Sequence, residues 1–163
     1  MAELAEGDIA PDIVLPRGSG GTISLSGLKG KKVVLYFYPK DDTQACTAEA
    51  IDFSALKRDF EAAGAVVVGV SPDNPKKHGK FAAKHAISID LASDEDLVAA
   101  NAYGVWVEKS MYGRRYMGVE RCTFLIGTDG RIRRIWRKVR VRGHAAEVLA
   151  AVRDLGGDPD AAA

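Results

Sequence analysis

"VVLYFYPKDDTQACTAEAIDF", residues 33 to 53, passes from an apolar segment through a charged turn into a predicted helix. Lys31 to Pro39 carries β-branched and aromatic residues on both faces, which is typical of a buried central strand. Apolar residues then recur at helical spacing from Ala45 to Ala63, and Gly64 follows as a stop signal. A single cysteine, Cys46, lies where this helix begins. The stretch therefore predicts a strand that leads into a helix with a thiol in its first turn.

The rest of the chain alternates between strands and helices. Extended segments are predicted on both sides of a glycine-rich loop within 13–24, at 65–71, at 88–94 and as a hairpin over 122–137, and helices within 71–86, 94–102 and 143–155. This order predicts an α/β fold, a thioredoxin-like three-layer sandwich with a mixed central sheet and an N-terminal hairpin extension. Residues 1–157 are expected to form a single domain, and 158–163 a frayed tail.

Composition excludes several classes of protein. The net charge of +1 creates no field that would attract nucleic acid or an anionic membrane. Two distant cysteines form neither a disulfide framework nor a zinc site. No apolar run approaches the ~20 residues that span a bilayer, and the acidic N-terminus lacks the features of a signal peptide. A reducing, cytoplasmic location is therefore expected.

The position of Cys46 favours thiolate chemistry. The first turn of a helix has unpaired N–H groups and the positive end of the helix dipole, and both stabilise an anion. Thr43, three positions earlier, can bring its hydroxyl close to the sulfur, and Glu49 follows one turn later. Position alone leaves a buried structural thiol equally acceptable. A dithiol of the C-x-x-C type is excluded because Cys46 is followed by "TAE".

The segment "FYPKDDTQACTAEAIDF" (37–53) resembles the active-site segment of the peroxiredoxins, whose pattern P-x-x-x-T-x-x-C falls on Pro39, Thr43 and Cys46. The wider match is similar to the bacterioferritin comigratory protein, or peroxiredoxin Q, branch. "GDIAPDIVLP" (7–16), "GVSPDNPKKHGKF" (69–81) and "ERCTFLIGTDGRI" (120–132) resemble further segments of that family. The last of these places the family's active-site arginine at Arg121. The resemblance covers residues 7 to 155.

The resemblance implies a thiol-dependent peroxidase that reduces hydrogen peroxide and organic hydroperoxides. Cys46 would attack the terminal peroxide oxygen and become a sulfenic acid. Arg121 would hold thiolate and peroxide, while Thr43 and nearby N–H groups would polarise the O–O bond. Pro39 would shield the sulfur, and Glu49 would hold the arginine. The resemblance implies no metal and no organic cofactor.

The chain departs from the family where a second, resolving cysteine is usual. One family position, five residues after Cys46, holds Ile51, and the other lies in "KFAAKHA" (80–86), which has no cysteine. A one-cysteine cycle is therefore expected, with thioredoxin, glutaredoxin or glutathione as the reductant. Cys122 is the only internal alternative, but strand alternation sends it to the face opposite Arg121. The alternative to a peroxidase is a peroxide sensor or thiol-based chaperone that uses the same cysteine.

Three further patterns are predicted to be structural. The seven basic residues between Arg131 and Arg142 fit a strand with one solvated face better than a nucleic-acid platform. The three histidines lack ligand spacing, so no metal site is expected. Residues 109–118 are predicted as a polar loop beside the site.

The branch resemblance implies a monomer or a weak dimer.

Overall fold

The computed structural model describes residues 3–155, so the predicted tail at 158–163 lies outside the described residues. A mixed five-stranded sheet forms the middle layer. Its strands are β3 (Lys32–Phe37), β4 (Ala65–Ser71), β5 (Asp90–Ser93), β8 (Cys122–Ile126) and β9 (Ile132–Trp136). They lie side by side in the order β5-β4-β3-β8-β9. β4 pairs in parallel with both β3 and β5, whereas β8 is antiparallel to β3 and β9. The predicted fold class, including the buried central strand, is confirmed.

Within residues 3–155, five α-helices accompany this sheet. They are α1 (Gln44–Ala55), α2 (Lys57–Ala62), α3 (Pro75–His85), α4 (Val98–Ala102) and α5 (His144–Leu155). Apolar residues of α1, α2, α3 and α5 pack on one face of the sheet, against alternate residues of β3 such as Val34 and Tyr36. The other face carries α4 and the N-terminal segment, packed against Val33, Leu35 and Phe37. All six residues of β3 are buried, which explains why its sequence is apolar on both faces.

Two hairpins lie outside the central sheet. The N-terminal extension is an antiparallel pair, β1 (Val14–Pro16) and β2 (Thr22–Ser24), followed by a short 3₁₀ turn at Ser26–Leu28. The second pair is β6 (Trp106–Met111) and β7 (Arg114–Val119). The expectation of a polar loop over 109–118 was therefore wrong. Tyr112 and Gly113, both at positive φ, close these strands in a two-residue turn.

The predicted helix from Ala45 to Ala63 is divided in two. Leu56 has φ −100° and ψ 6° and separates α1 from α2. Its N–H donates to the carbonyl of Phe53 at 3.2 Å, a tighter turn than the α-helical one. The break places Phe53 and Phe60 side by side in the core, with ring centroids 5.9 Å apart. None of the described helices is both long and apolar enough to cross a bilayer.

Candidate active site

Cys46 lies in the first turn of α1, directly after the loop that follows β3. It is the third residue of the helix, and its side chain is almost fully buried, with 2% exposed. The amides of Gln44, Ala45 and Cys46 have no carbonyl one turn earlier within the helix to accept them. They form, with the helix dipole, an environment that stabilises negative charge on the sulfur.

Arg121, just before β8, brings a cation to the sulfur. Its Nη2 donates to Cys46 Sγ at 3.3 Å, and its Nη1 donates to Glu49 Oε1 at 2.6 Å. One guanidinium therefore joins a thiol and a carboxylate that lie one turn apart on α1. The fork of a guanidinium suits such a double contact, which a lysine ammonium would not reproduce.

Glu49 is a buried carboxyl with 1% exposed. Burial raises its pKa to about 7, although the charge and hydrogen bond of Arg121 lower it. Its second oxygen, Oε2, is buried without a hydrogen-bond partner among the described residues. Glu49 thus contacts Arg121 through only one of its two oxygens.

Thr43 occupies the N-cap position of α1 with an extended backbone, but its side chain does not cap the helix. Its hydroxyl donates instead to the carbonyl oxygen of Lys40 at 2.8 Å. The Thr43 side chain is exposed, and Pro39, two residues after the end of β3, is half-buried. The structure therefore brings Cys46, Arg121 and Glu49 into contact, while Thr43 directs its hydrogen at the loop.

Sequence reasoning missed a network behind this loop. Asp41 Oδ2 lies 2.6 Å from His78 Nδ1, and Asp41 Oδ1 accepts from the Tyr38 hydroxyl at 2.5 Å. The amide of Asp41 donates to Asp73 Oδ2 at 2.8 Å. All four side chains are buried. Asp41 lies in the charged turn of the opening segment, and its contact with His78 spans 37 positions, which no local pattern reports.

Asp41, Asp73 and His78 also have the composition of a metal-ligand set, since one ligand atom of each lies within 4.8 Å of the others. Their atoms already have partners in the protein. Lys77 Nζ donates to Asp73 Oδ1 at 2.8 Å, Ser71 Oγ donates to Oδ2 at 2.7 Å, and His78 Nε2 contacts the Ala92 carbonyl at 3.1 Å. The cluster is a hydrogen-bonded network that ties the loop to β4 and α3.

A second, exposed contact ties the same loop to the end of α3. Asp42, at φ 61°, accepts from Lys84 Nζ at 2.8 Å and contacts His85 Nε2 at 2.8 Å. Hydrogen bonds from these two side chains lower the pKa of the Asp42 carboxyl. The loop before α1 is therefore attached to α3 at two successive residues.

Cys122 and Cys46 pack on opposite faces of the sheet. Cys122 belongs to the cluster with Phe37 and Phe124, and Cys46 to the cluster with Tyr36 and Tyr38. The Cys122 thiol donates to Glu120 Oε2 at 3.3 Å. Burial, followed by this hydrogen bond, raises the pKa of Cys122 to about 12, which keeps it a neutral thiol.

The two family positions for a resolving cysteine fall on helices. Ile51 lies on α1 with 42% of its side chain exposed, and 80–86 includes the last part of α3. Neither provides a thiol.

The basic segment is largely paired with acidic groups or aromatic rings. Arg133 Nη2 lies 2.7 Å from Asp129 Oδ2, and Arg137 Nε lies 3.5 Å from Glu3 Oε1. The Arg134 guanidinium lies 4.6 Å from the centre of the Trp136 ring. These contacts favour the predicted structural role for the segment.

Residues 7–135 match the model of the AhpC/TSA family. The chain is 48% identical over 149 residues to peroxiredoxin Bcp of Bacillus subtilis, an alignment that covers 91% of this chain and 95% of that protein.

Solved structures give the same result. A peroxiredoxin Q mutant from Xylella fastidiosa superimposes with a TM-score of 0.88 at 38% identity, covering 94% of this chain and 98% of that one. The bacterioferritin comigratory protein of Xanthomonas campestris, in structures of trapped intermediate and ligand complexes that address its alkyl peroxide reduction activity, superimposes with a TM-score of 0.83 at 43% identity. That alignment covers 87% of this chain and 90% of the other.

Proposed function

The chain belongs to the AhpC/TSA family, within its peroxiredoxin Bcp or peroxiredoxin Q branch, and from this premise we propose that Cys46 is its peroxidatic thiol in a one-cysteine cycle. As a peroxiredoxin it is an oxidoreductase that reduces a peroxide at the expense of a thiol. The observation that carries the proposal is the contact of Arg121 with both Cys46 and Glu49.

In the proposed first half of the cycle, the Cys46 thiolate attacks the terminal oxygen of the hydroperoxide. An S–O bond forms as the O–O bond breaks, so the sulfur is oxidised to a sulfenic acid and the leaving oxygen departs with a proton as an alcohol or water. Arg121 and the amides of the first turn face the place where negative charge shifts from sulfur to the leaving oxygen. Thr43 contacts the peroxide from the loop side, and Pro39 limits the access of water.

The second half of the proposed cycle uses a thiol from outside the chain. That thiol attacks the sulfenic sulfur, releases water and forms a mixed disulfide, which a second thiol reduces. The separation of Cys46 and Cys122 on two faces of the sheet supports this scheme. So does the absence of cysteine at position 51 and within 80–86. Thioredoxin, glutaredoxin and glutathione are the candidate reductants.

The proposed substrates are hydrogen peroxide and organic hydroperoxides. The Xanthomonas campestris relative studied for alkyl peroxide reduction supports the second class. A reducing location such as the cytoplasm remains a prediction. A monomeric or weakly dimeric state also remains a prediction, and size-exclusion chromatography with light scattering tests it.

The test is to treat the protein with one equivalent of hydrogen peroxide, trap with a sulfenic-acid reagent and map the products by mass spectrometry. We expect an adduct on Cys46 and no link between Cys46 and Cys122. An abundant intrachain disulfide would overturn the one-cysteine cycle. Peroxide consumption that persists in Cys46→Ser would overturn the assignment of the nucleophile.

Turnover separates the proposal from a peroxide sensor or thiol-based chaperone. With excess peroxide and a thioredoxin or glutathione system, the peroxidase consumes many equivalents of peroxide per protein. Cys122→Ser is the matched control, and we expect it to turn over like the wild type. A single oxidation event without turnover in any of these systems would favour the sensor.

A further inference from the structure

One peptide group, the one that joins Lys40 to Asp41, governs the orientation of Thr43. Its carbonyl oxygen accepts the Thr43 hydroxyl at 2.8 Å, and its N–H donates to Asp73 Oδ2 at 2.8 Å. A peptide group is planar, so an interaction that fixes its N–H also fixes the direction of its carbonyl on the other side. Asp73 thereby determines where the Thr43 hydroxyl finds its acceptor.

Hydrogen bonds to both of its oxygens fix the orientation of the Asp73 carboxylate. Ser71 donates to the same oxygen that the Asp41 amide contacts, and Lys77 donates to the other oxygen. Burial raises the pKa of Asp73, but the hydrogen bonds from Lys77, Ser71 and the Asp41 amide bring it below its ordinary value. The side chain remains a carboxylate, which can only accept hydrogen bonds.

The side chain of Asp41 is anchored on the other side of the same loop. His78, which is fully buried, has its Nε2 at the Ala92 carbonyl, so that nitrogen carries a hydrogen. Its Nδ1 lies 2.6 Å from Asp41 Oδ2, and Tyr38 donates to Asp41 Oδ1. With its amide and both oxygens engaged, Asp41 cannot rotate its peptide without breaking buried hydrogen bonds.

This arrangement decides how Thr43 meets a substrate. A hydroxyl has one hydrogen, and Thr43 donates it to the Lys40 carbonyl, so toward any further partner the Thr43 oxygen can only accept. A hydroperoxide has an O–H that such an oxygen can accept. If the Thr43 hydroxyl lost its hydrogen bond to the Lys40 carbonyl, it could rotate and would no longer be held as an acceptor.

We propose that Asp73 is a positioning residue of the peroxidase reaction, which holds the Lys40–Asp41 peptide so that Thr43 accepts a hydrogen bond from the incoming hydroperoxide. This inference rests on the proposed roles of Cys46 and Thr43. Asp73 touches neither the substrate nor the sulfur and acts only through the peptide and the Thr43 hydroxyl.

Two variants separate geometry from charge at position 73. Asp73→Asn removes the charge but keeps an oxygen that can accept from the Asp41 amide. Asp73→Glu keeps the charge but moves the carboxylate by one methylene. The rate constant for oxidation of Cys46 by hydrogen peroxide is measured by quenched flow and mass spectrometry. We expect this rate constant to fall about tenfold in Asp73→Glu. In Asp73→Asn it should stay within about threefold of the wild-type value.

Alkylation of Cys46 by iodoacetamide is the reference reaction, because it needs the thiolate but no acceptor for a peroxide O–H. We expect the alkylation rate of Asp73→Glu to remain within about twofold of the wild type. An equal loss in both reactions would show that the variant disturbs the thiolate itself and would overturn the inference. So would a larger peroxide defect in Asp73→Asn than in Asp73→Glu.

A double-mutant cycle with Thr43→Val completes the test. If Asp73 acts through the Thr43 hydroxyl, adding Asp73→Glu to Thr43→Val lowers the rate constant for Cys46 oxidation by less than about twofold, because that hydroxyl is already absent. A tenfold loss that persists in the Thr43→Val background would overturn the inference while leaving the peroxidase assignment intact. Should Asp73→Glu fail to fold, as judged by circular dichroism, Asp73→Ala takes its place in the same cycle. Loss of peroxide reduction in Cys46→Ser tests the proposed function separately.

Discussion

At the scale of single residues, Glu49 is the most informative group because its charge depends on pH near neutrality. Burial raises the pKa of its carboxyl to about 7 from the ordinary 4.5, and the folded chain therefore holds the proton more tightly than the unfolded chain does. The resulting stabilisation is complete below pH 4.5 and is lost as the pH rises through 7. It amounts to up to ~3 kcal/mol of the free energy of unfolding.

Glu49→Gln tests this dependence because an amide is neutral at every pH. Relative to the variant, the wild type should lose stability as the pH rises from about 5 to about 8. Urea unfolding at four pH values in this range measures the difference. Parallel stability curves for the two proteins would contradict the prediction.

The residues of the site also show what a sequence can indicate. Cys46, Thr43, Glu49 and Arg121 stand in motifs of the sequence, so all four could be named as candidate site residues before the fold was known. The hydrogen bond of Thr43 to Lys40 could not be inferred, because a hydroxyl has several acceptors within reach and the choice depends on the peptide held by Asp73.

At the scale of elements, the hairpin of β6 and β7 offers a test of turn chemistry. Tyr112 adopts φ 52° beside Gly113 at φ 77°, and its side chain is 98% exposed. Asparagine tolerates this left-handed conformation better than tyrosine. Tyr112→Asn should therefore raise the free energy of unfolding by about 0.5 kcal/mol and Tm by about 1–2 °C.

Thermal unfolding measures this effect, with Tyr112→Ala as the control. Alanine removes the same exposed ring but has no preference for the left-handed region, so its Tm should not rise. An equal rise in both variants would show that loss of the ring, not turn geometry, is responsible.

Helix α1 supports a second prediction at this scale. Ile51 and Cys46 are five residues apart on the helix, and their Cα atoms are separated by about 7.5 Å along its axis, beyond disulfide reach. In Ile51→Cys, one equivalent of peroxide should yield a disulfide between Cys46 and the introduced thiol, with loss of helical circular dichroism because the first turns of α1 must unwind. The wild type should keep its helical signal, and a persistent sulfenic acid in the variant would contradict the prediction.

The elements predicted best are those with a strong local signal. β3 and β4 are continuous apolar strands, and Asn74 and Pro75 mark the start of α3, where the Asn74 side chain accepts from the Lys77 amide. The strands β6 and β7 carry mostly polar residues in their paired central parts, so no apolar alternation indicated them. The break at Leu56 was missed because the helical spacing of apolar residues continues across it.

At the scale of the whole molecule, the sheet separates two thiols in different surroundings. Cys46 lies on α1 in contact with Arg121, whereas Cys122 is buried on the other face with a pKa raised to about 12. Excess peroxide without any reducing thiol should therefore convert Cys46 to sulfinic and sulfonic acids and leave Cys122 as a thiol. Intact-mass and peptide mass spectrometry measure both sites, and oxidation of Cys122 at a rate equal to that of Cys46 would contradict this expectation.

The arrangement of the two sulfurs has a kinetic consequence under the proposed one-cysteine cycle. Cys46 and Cys122 lie on opposite faces of the sheet, so the sulfenic acid would be reduced by a thiol from another molecule, and its lifetime would vary inversely with the concentration of that thiol. The protein would then clear peroxide where thiols are plentiful and accumulate in the oxidised form where they are scarce. The rate of peroxide removal would therefore follow the supply of reducing thiol around the protein.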